Sequence, residues 1–236
     1  MRLHYFIGDF NFSEKNIKII EPDLVNQFRN VLRFKVGDKI ILGDGKMNEV
    51  LAEIAEIKKE FIDVKILEVR LNKNEPRKEI ILYCAILKRE NFELACQKAT
   101  EIGVGKIVPI ICQRTIKFGL KEERLKKIIQ EAAEQSGRGI IPELGQIISF
   151  EKAIEQAKNN NFNLLFDVSG SELVKTKLEL AAAKKIGIFI GPEGGWEEKE
   201  IEIAKNEKKF KVSSLGKLTL RAETAAIIGT YIAIHF

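Results

Sequence analysis

Two glycine-bearing turns hold the residues best placed to do chemistry in this chain. Residues 189–196 read Phe-Ile-Gly-Pro-Glu-Gly-Gly-Trp, and residues 215–225 read Leu-Gly-Lys-Leu-Thr-Leu-Arg-Ala-Glu-Thr-Ala. Each follows an apolar run that reads as a buried strand, and each precedes a helical pattern. Proline lacks an N–H, and glycine permits positive φ and close backbone approach, so Gly-Pro-x-Gly-Gly continues neither a helix nor a central strand. The chain therefore bends just past a strand end, where α/β proteins hold ligands. Two readings of residues 190–196 stay open, a tight strand-to-helix turn and a pocket lined by backbone. Arg221 and Glu223 also carry two readings, a surface ion pair capping the last helix or functional charge set beside an apolar one. Glu193, Arg221 and Glu223 converge only if the two loops are neighbours.

The ligand class narrows by exclusion. The chain contains neither G-x-x-x-x-G-K-[ST] nor G-x-G-x-x-G. The helix after the first turn opens with Glu197 and Glu198, acids that suit a helix N-terminus but compete with a bound phosphate. A ligand without phosphates, carrying positive charge, fits better than a triphosphate. Cys84, Cys96 and Cys112 form no C-x-x-C pair and read as reduced, buried thiols. With His4 and His235 the only histidines, no zinc site is expected and Ser-His-Asp or Cys-His catalysis has little to work with.

The elements that must position these turns fall into two stretches. Residues 1–72 look like β structure, with runs at Leu3–Ile7, Lys39–Leu42, Val50–Ile57 and Phe61–Val69 separated by turn residues, and a helix over Asp23–Leu32 behind Pro22. This pattern suggests a small barrel. The polar run Asn72–Lys78 places the domain boundary at 72/73. Residues 73–236 alternate strands (Ile80–Leu87, Ile107–Ile111, Asn163–Val168, Ile186–Ile190, Lys211–Leu215) with helices, the last over Ala222–His235, the signature of an α/β fold with a parallel sheet.

The formal charge is +5, and residues 1–72 contribute 12 basic and 12 acidic side chains, so the excess lies in the second stretch. That balance permits nucleic-acid binding without proving it. Arg29, Arg33, Lys35 and Lys39 read either as a solvated edge or as phosphate contacts. Glu131–Arg138 reads as a helix C-cap, with Gly137 left-handed and Arg138 complementing the dipole. Nothing resembles a cleavable leader or a transmembrane run, which makes a cytoplasmic location the expectation.

Taken together, Asn30-Val-Leu-Arg33 followed by Lys35-Val-Gly-Asp38, Gln97–Glu101 with Gly103, Glu131–Arg138 with Pro142, and the two turns resemble the SPOUT superfamily of RNA methyltransferases, in particular its RsmE-type small-subunit (16S) ribosomal RNA uridine-N3 members. The resemblance spans nearly the whole chain, and the two turns are highly specific as a pair. The chain departs from the family pattern at Gln27 and at Cys112-Gln113-Arg114.

The resemblance implies an N-terminal PUA-like β-barrel (1–72) that grips RNA, and a SPOUT domain (73–236) whose C-terminal part is tied in a trefoil knot. It implies S-adenosylmethionine as cofactor, held by Leu165, Phe166, Ile190, Gly191, Pro192, Glu193, Gly194, Gly195, Leu215, Gly216, Leu220, Arg221, Thr224 and Ala225. It also implies a homodimer acting on small-subunit ribosomal RNA or the ribosomal subunit, away from membranes and without a metal. RNA contacts fall to Arg2, Arg29, Arg33, Arg114 and Arg138. Arg221 is the candidate to stabilise a uracil oxyanion, with Glu223 orienting it or accepting the N3 proton through water. Competing expectations are a non-catalytic RNA-binding assembly factor on the same fold and an enzyme using another nucleotide. The intact Leu-Arg-x-Glu-Thr run argues against the first, and the missing phosphate loops argue against the second.

Overall fold

The computed structural model describes residues 3–116, 119–173 and 177–236. Contacts group the chain into two compact units, 1–75 with 133–141 and 76–132 with 142–236. The polar run at 72–78 marks the first crossing between them. The return of 133–141 to the first unit has no counterpart in composition or periodicity.

The first unit is a five-stranded sheet in the order β1 (Tyr5–Ile7), β3 (Lys39–Gly43), β4 (Asn48–Ile57), β5 (Ile62–Leu71) and β2 (Asn16–Ile19). The β1–β3 pair is parallel and the others are antiparallel. Phe6 from one edge strand and Ile17 and Ile19 from the other share one core with Ile40, Leu42, Val50 and Ile54, so the sheet curls around its apolar face. Strand β2 escapes the sequence pattern because its alternation, Asn-Ile-Lys-Ile, is only two cycles long. The helix expected over Asp23–Leu32 divides into α1 (Pro22–Asn26) and a π-helical turn (Gln27–Val31), where Leu32 donates to the Gln27 carbonyl at 2.8 Å. Phe28 lies at the centre of this turn, fully buried and 4.5 Å from the Phe6 ring.

Segment 133–141 is sewn into this unit by polar contacts. The Ile7 amide donates to Glu134 at 2.9 Å, the Met47 amide to the Gly139 carbonyl at 2.9 Å, and the Asn72 and Asn74 side chains to the Gly137 carbonyl. Arg138, to which the family resemblance gives an RNA contact, is only 5% exposed and forms a 2.7 Å ion pair with Glu75. An internal carboxylate is thus the partner of this guanidinium in the structure.

The second unit is a parallel sheet ordered β12 (Phe210–Ser214), β10 (Phe162–Glu172), β11 (Lys185–Ile190), β6 (Glu79–Ala85), β7 (Lys106–Ile111), β8 (Glu143–Leu144), with β9 (Ile148–Ser149) also on β7. Its helices are α2 (Arg89–Ile102), α3 (Glu122–Ser136, whose last turn reaches the first unit), α4 (Phe150–Ala157), α5 (Lys177–Ala182), α6 (Glu198–Asn206) and α7 (Ala222–His235). The expected α/β alternation is borne out, and α7 spans the expected residues. Its buried positions, Ala222, Glu223, Ala226, Gly229, Thr230 and Ala233, recur every three or four residues. These small side chains let α7 approach the sheet closely: a Cβ on Gly229 would stand 2.7 Å from the Phe166 ring. Strand β10 runs farther than its apolar stretch. It bulges between Phe166 and Ser171, then pairs with β12 again.

Two outcomes follow. Removing Arg138 strands Glu75 in a buried setting, so Arg138→Ala should lower the unfolding free energy in urea titrations by about 3–5 kcal/mol. The Glu93 carboxyl on α2 is held down at about 2, first by its hydrogen bond from Arg124 and then by Arg89. A folded value below the unfolded one means stability present above the ordinary carboxylate range and lost as pH falls toward 2. In an NMR titration, Arg124→Gln should move the Glu93 midpoint up toward the ordinary range.

Candidate active site

The carboxyl ends of β6 and β11, the bulge of β10 and the loop after β12 converge on one cavity of about 670 Å³. Its wall includes Lys88 and Asn91 after β6, Phe166, Asp167 and Val168 at the bulge of β10, Ile190–Trp196 at the end of β11 and beyond it, and Thr219–Glu223 with Ala225. The two turns singled out from sequence are therefore neighbours. A smaller recess of about 80 Å³ shares Phe166, Leu220 and Ala225 and adds Leu215 and Gly216.

Trp196 sets the floor. Its indole is buried, lies 5.3 Å from the Phe150 ring, and donates from Nε1 to the Phe166 carbonyl at 3.0 Å. A Cβ at Gly191 would stand 3.0 Å from that indole, so the first glycine of the turn is what lets the backbone lie on the ring. Gly195, at φ 71°, closes the turn by donating to the Pro192 carbonyl at 2.9 Å.

The loop is braced from two sides. Glu193 accepts from the Lys88 amide at 3.0 Å and so satisfies a donor at the start of α2, which lacks a side-chain cap of its own. Arg114 donates to Glu197 at 2.7 Å and to the Gly194 carbonyl at 2.9 Å. The start of α6 is closed internally: Glu200 accepts from the Glu197 amide at 2.8 Å and from the Gln113 amide at 3.0 Å. Acids occupy this helix N-terminus and leave it unsuited to a phosphate, as the sequence suggests.

Arg221 and Glu223 have different environments. Arg221 is the N-cap of α7, exposed, with extended backbone, and has no ion pair among the described residues. Glu223 is 6% exposed, and its Oε2 has no hydrogen-bond partner among the described residues. The surface ion pair that the sequence left open is absent. A buried carboxylate oxygen without a donor is costly, and this one belongs to a residue that lines the cavity.

The lining suits S-adenosylmethionine. Phe166, Val168, Ile190, Pro192 and Leu220 offer apolar surface, while Asp167, Glu193 and Glu223 outnumber Lys88 and Arg221. The balance favours a cationic ligand without phosphates. Cys84 on β6 is no nucleophile: burial foremost, and then neighbouring groups that include Glu193 and Glu223, push its thiol well up. Burial raises Cys96 to about 12 and Cys112 higher still.

Of the residues expected at the cofactor, Phe166, Ile190–Gly195, Leu220, Arg221 and Ala225 line the main cavity, and Leu215 and Gly216 line the recess. Leu165 is packed in the core and Thr224 is half-buried on α7, and neither lines either space. Sequence reasoning missed Lys88, Asn91, Asp167 and Val168 as lining, while Trp196, Thr219 and Ala222 fall inside the two turns it singled out. The strand-end rule, applied to β6 as it was to β11 and β12, finds Lys88 and Asn91. In the first unit Arg29 is half-buried in the π-helical turn, and Arg33 is exposed at φ 54°, an unusual conformation for a side-chain-bearing residue. Neither has an ion pair among the described residues. Arg2 lies outside the described residues.

An RNA methyltransferase domain family matches residues 73–233, and an RNA methyltransferase PUA domain family matches residues 28–67. The class that fold and cavity define is thus that of RNA methyltransferases. The ribosomal RNA small subunit methyltransferase E of Rickettsia conorii is 35% identical over 214 residues, 89% of this chain and 86% of its own length. That of Aquifex aeolicus is 30% identical over 227 residues, 94% of this chain and 95% of its own. The crystal structure of the Neisseria gonorrhoeae enzyme of that name, bound to S-adenosyl methionine, superposes with a TM-score of 0.87 at 30% identity, covering 97% of this chain and 95% of that one. A methyltransferase from Legionella pneumophila in complex with the same cofactor gives 0.88 at 29% identity, covering 99% and 97%. The chain belongs to the ribosomal RNA small subunit methyltransferase E family, as its motifs imply.

Glu193 is a brace on this geometry. Glu193→Ala should cost about 1 kcal/mol, as loss of a helix cap does, and should accelerate hydrogen exchange at the Lys88 amide, both measured without ligand.

Proposed function

We propose that this protein transfers the methyl group of S-adenosylmethionine to N3 of a uridine in small-subunit (16S) ribosomal RNA. The observation that carries the reading is the presence on one cavity wall of an exposed Arg221 with no ion pair and a buried Glu223 oxygen with no donor among the described residues. Phe166, Ile190–Gly195 and Leu220 would hold the cofactor, with Leu215 and Gly216 in the adjoining recess. When bound, the cofactor supplies an electrophilic methyl group on a sulfonium.

The protein's own task is the acceptor. Neutral uracil carries a proton on N3, and its departure places negative charge on the carbonyl oxygens. The Arg221 guanidinium offers a planar fork of donors to such an oxygen. Glu223 orients Arg221 or receives the proton through water. Base pairing consumes N3, so the target must be unpaired or flipped out. Arg29 and Arg33 on the first unit, with Arg2, would position the RNA backbone. Arg114 would act through the loop it braces as well as at RNA.

The same reading takes the protein as a cytoplasmic homodimer with a trefoil-knotted C-terminal domain. Family resemblance supports these three points. No helix among the described residues is long and apolar enough to cross a membrane.

The test is transfer of labelled methyl to small subunits lacking the modification, with the nucleoside identified by mass spectrometry. N3-methyluridine is the expected product. Arg221→Ala should reduce kcat by about 10²–10³, as removal of an oxyanion donor does, with little change in cofactor Kd. Cofactor and subunit binding without transfer by the unaltered protein would overturn the catalytic reading and return the assembly-factor one.

A further inference from the structure

We propose that the C-terminal half of β5 is an association edge, at which a second copy of this chain adds as an antiparallel strand about a two-fold axis at Val69. Strand β2 pairs with β5 only over Ile62–Lys65, and the Ile66 amide makes the last bond on that side, to the Lys15 carbonyl at 2.9 Å. From Glu68 to Leu71, β5 is paired on one side alone, with β4, among the described residues, and Leu67 is the extra residue of a bulge between the Glu68 and Ile66 pairs.

The register decides which groups are free. Asn72 donates to the Met47 carbonyl at 2.7 Å. Hydrogen-bonding direction alternates along an antiparallel strand, so residues 68 and 70 also bond β4, while 69 and 71 direct N–H and C=O outward. Side chains on this edge are apolar and open to solvent: Leu67 is 41% exposed, Val69 58% and Leu71 63%. Val69 pairs with the fully buried Val50, so this stripe is the core face of the sheet continued past the core. The five residues contain neither proline nor lysine; the edge-protecting features present are a bulge at Leu67, two residues from the proposed axis, and the charges of Glu68 and Arg70.

The segment is self-complementary. Antiparallel pairing about Val69 exchanges two N–H···O=C bonds between the Val69 residues and places Leu67 against Leu71 of the other copy. It sets Glu68 opposite the other copy's Arg70 in the non-hydrogen-bonded pair, where side chains come closest. Glu68 has no ion pair among the described residues. Arg70 uses Nε on Glu49 at 2.6 Å, leaving its other guanidinium nitrogens for a second carboxylate. Both charge pairs form at once by symmetry, which a partner of another sequence has no reason to match. A five-residue strand pair falls below the about 1,200 Å² of a standard interface, so the association is weak and concentration-dependent.

The test uses the full chain by sedimentation velocity across about 10 μM to about 1 mM. The expected result is reversible doubling of the species present at low concentration, with protection of the Val69 and Leu71 amides from hydrogen exchange rising in parallel. Val69→Lys and Glu68→Lys, both at exposed positions, should each weaken the doubling at least tenfold, while Ile20→Lys, an exposed apolar site just past β2, leaves it unchanged. Val69→Cys should form a disulfide-linked dimer under mild oxidation, since the native thiols are buried. Doubling unaffected by Val69→Lys, absence of doubling, or failure of Val69→Cys to cross-link would each overturn the proposal. So would Val69→Lys weakening subunit binding without altering self-association, a result that would assign the edge to another partner. None of these readouts depends on methyl transfer.

Discussion

A parallel sheet leaves the carboxyl ends of its strands to be joined by loops, and here the cavity exists because three such ends are locked to one another. The Trp196 indole accomplishes this from the β11 loop: it is sunk against Phe150, bonded to the Phe166 carbonyl at the bulge of β10, and overlain by Gly191. Glu193 extends the lock to the start of α2, and Arg114 extends it to the loop after β7. Without the indole bond, the bulge of β10 loses its direct tie to the turn.

That frame explains why charge in the cavity is arranged unevenly. Most acids near the turn are already engaged: Glu193 with a backbone amide, and Glu197 and Glu200 with α6 and its neighbours. Glu223 is the exception, buried with one oxygen unsatisfied. An unsatisfied buried group carries a standing free-energy penalty, and here it stands two residues along the chain from an exposed arginine that lines the same pocket. Strain of this kind gathers at sites that bind or react.

The first unit carries its own constraint. Glu75, Asn72 and Asn74 need partners where the sheet ends, and segment 133–141 supplies them through Arg138 and the Gly137 carbonyl. The unit is therefore discontinuous in sequence, and Arg138, just past the C-terminus of α3, is committed internally.

Local pattern was enough to read the alternation of strands and helices, the extent of α7, the two turns and the acids at the start of α6, because each rests on neighbours within a few residues: periodicity, glycine, proline, or acids at a helix start. The two-cycle strand β2, the continuation of β10 beyond its bulge and the π-helical turn around Phe28 were not legible, since packing decides them. The partners of Glu193, Arg114 and Arg138 lie 105, 80 and 63 residues away. Lys88 and Asn91 enter the cavity only because β6 lies beside β11 in the sheet. Sequence alone determined which chemistry the turns permit. The tertiary structure decided which charges remain free to perform it, because a side chain's partner is set by the fold's long-range register.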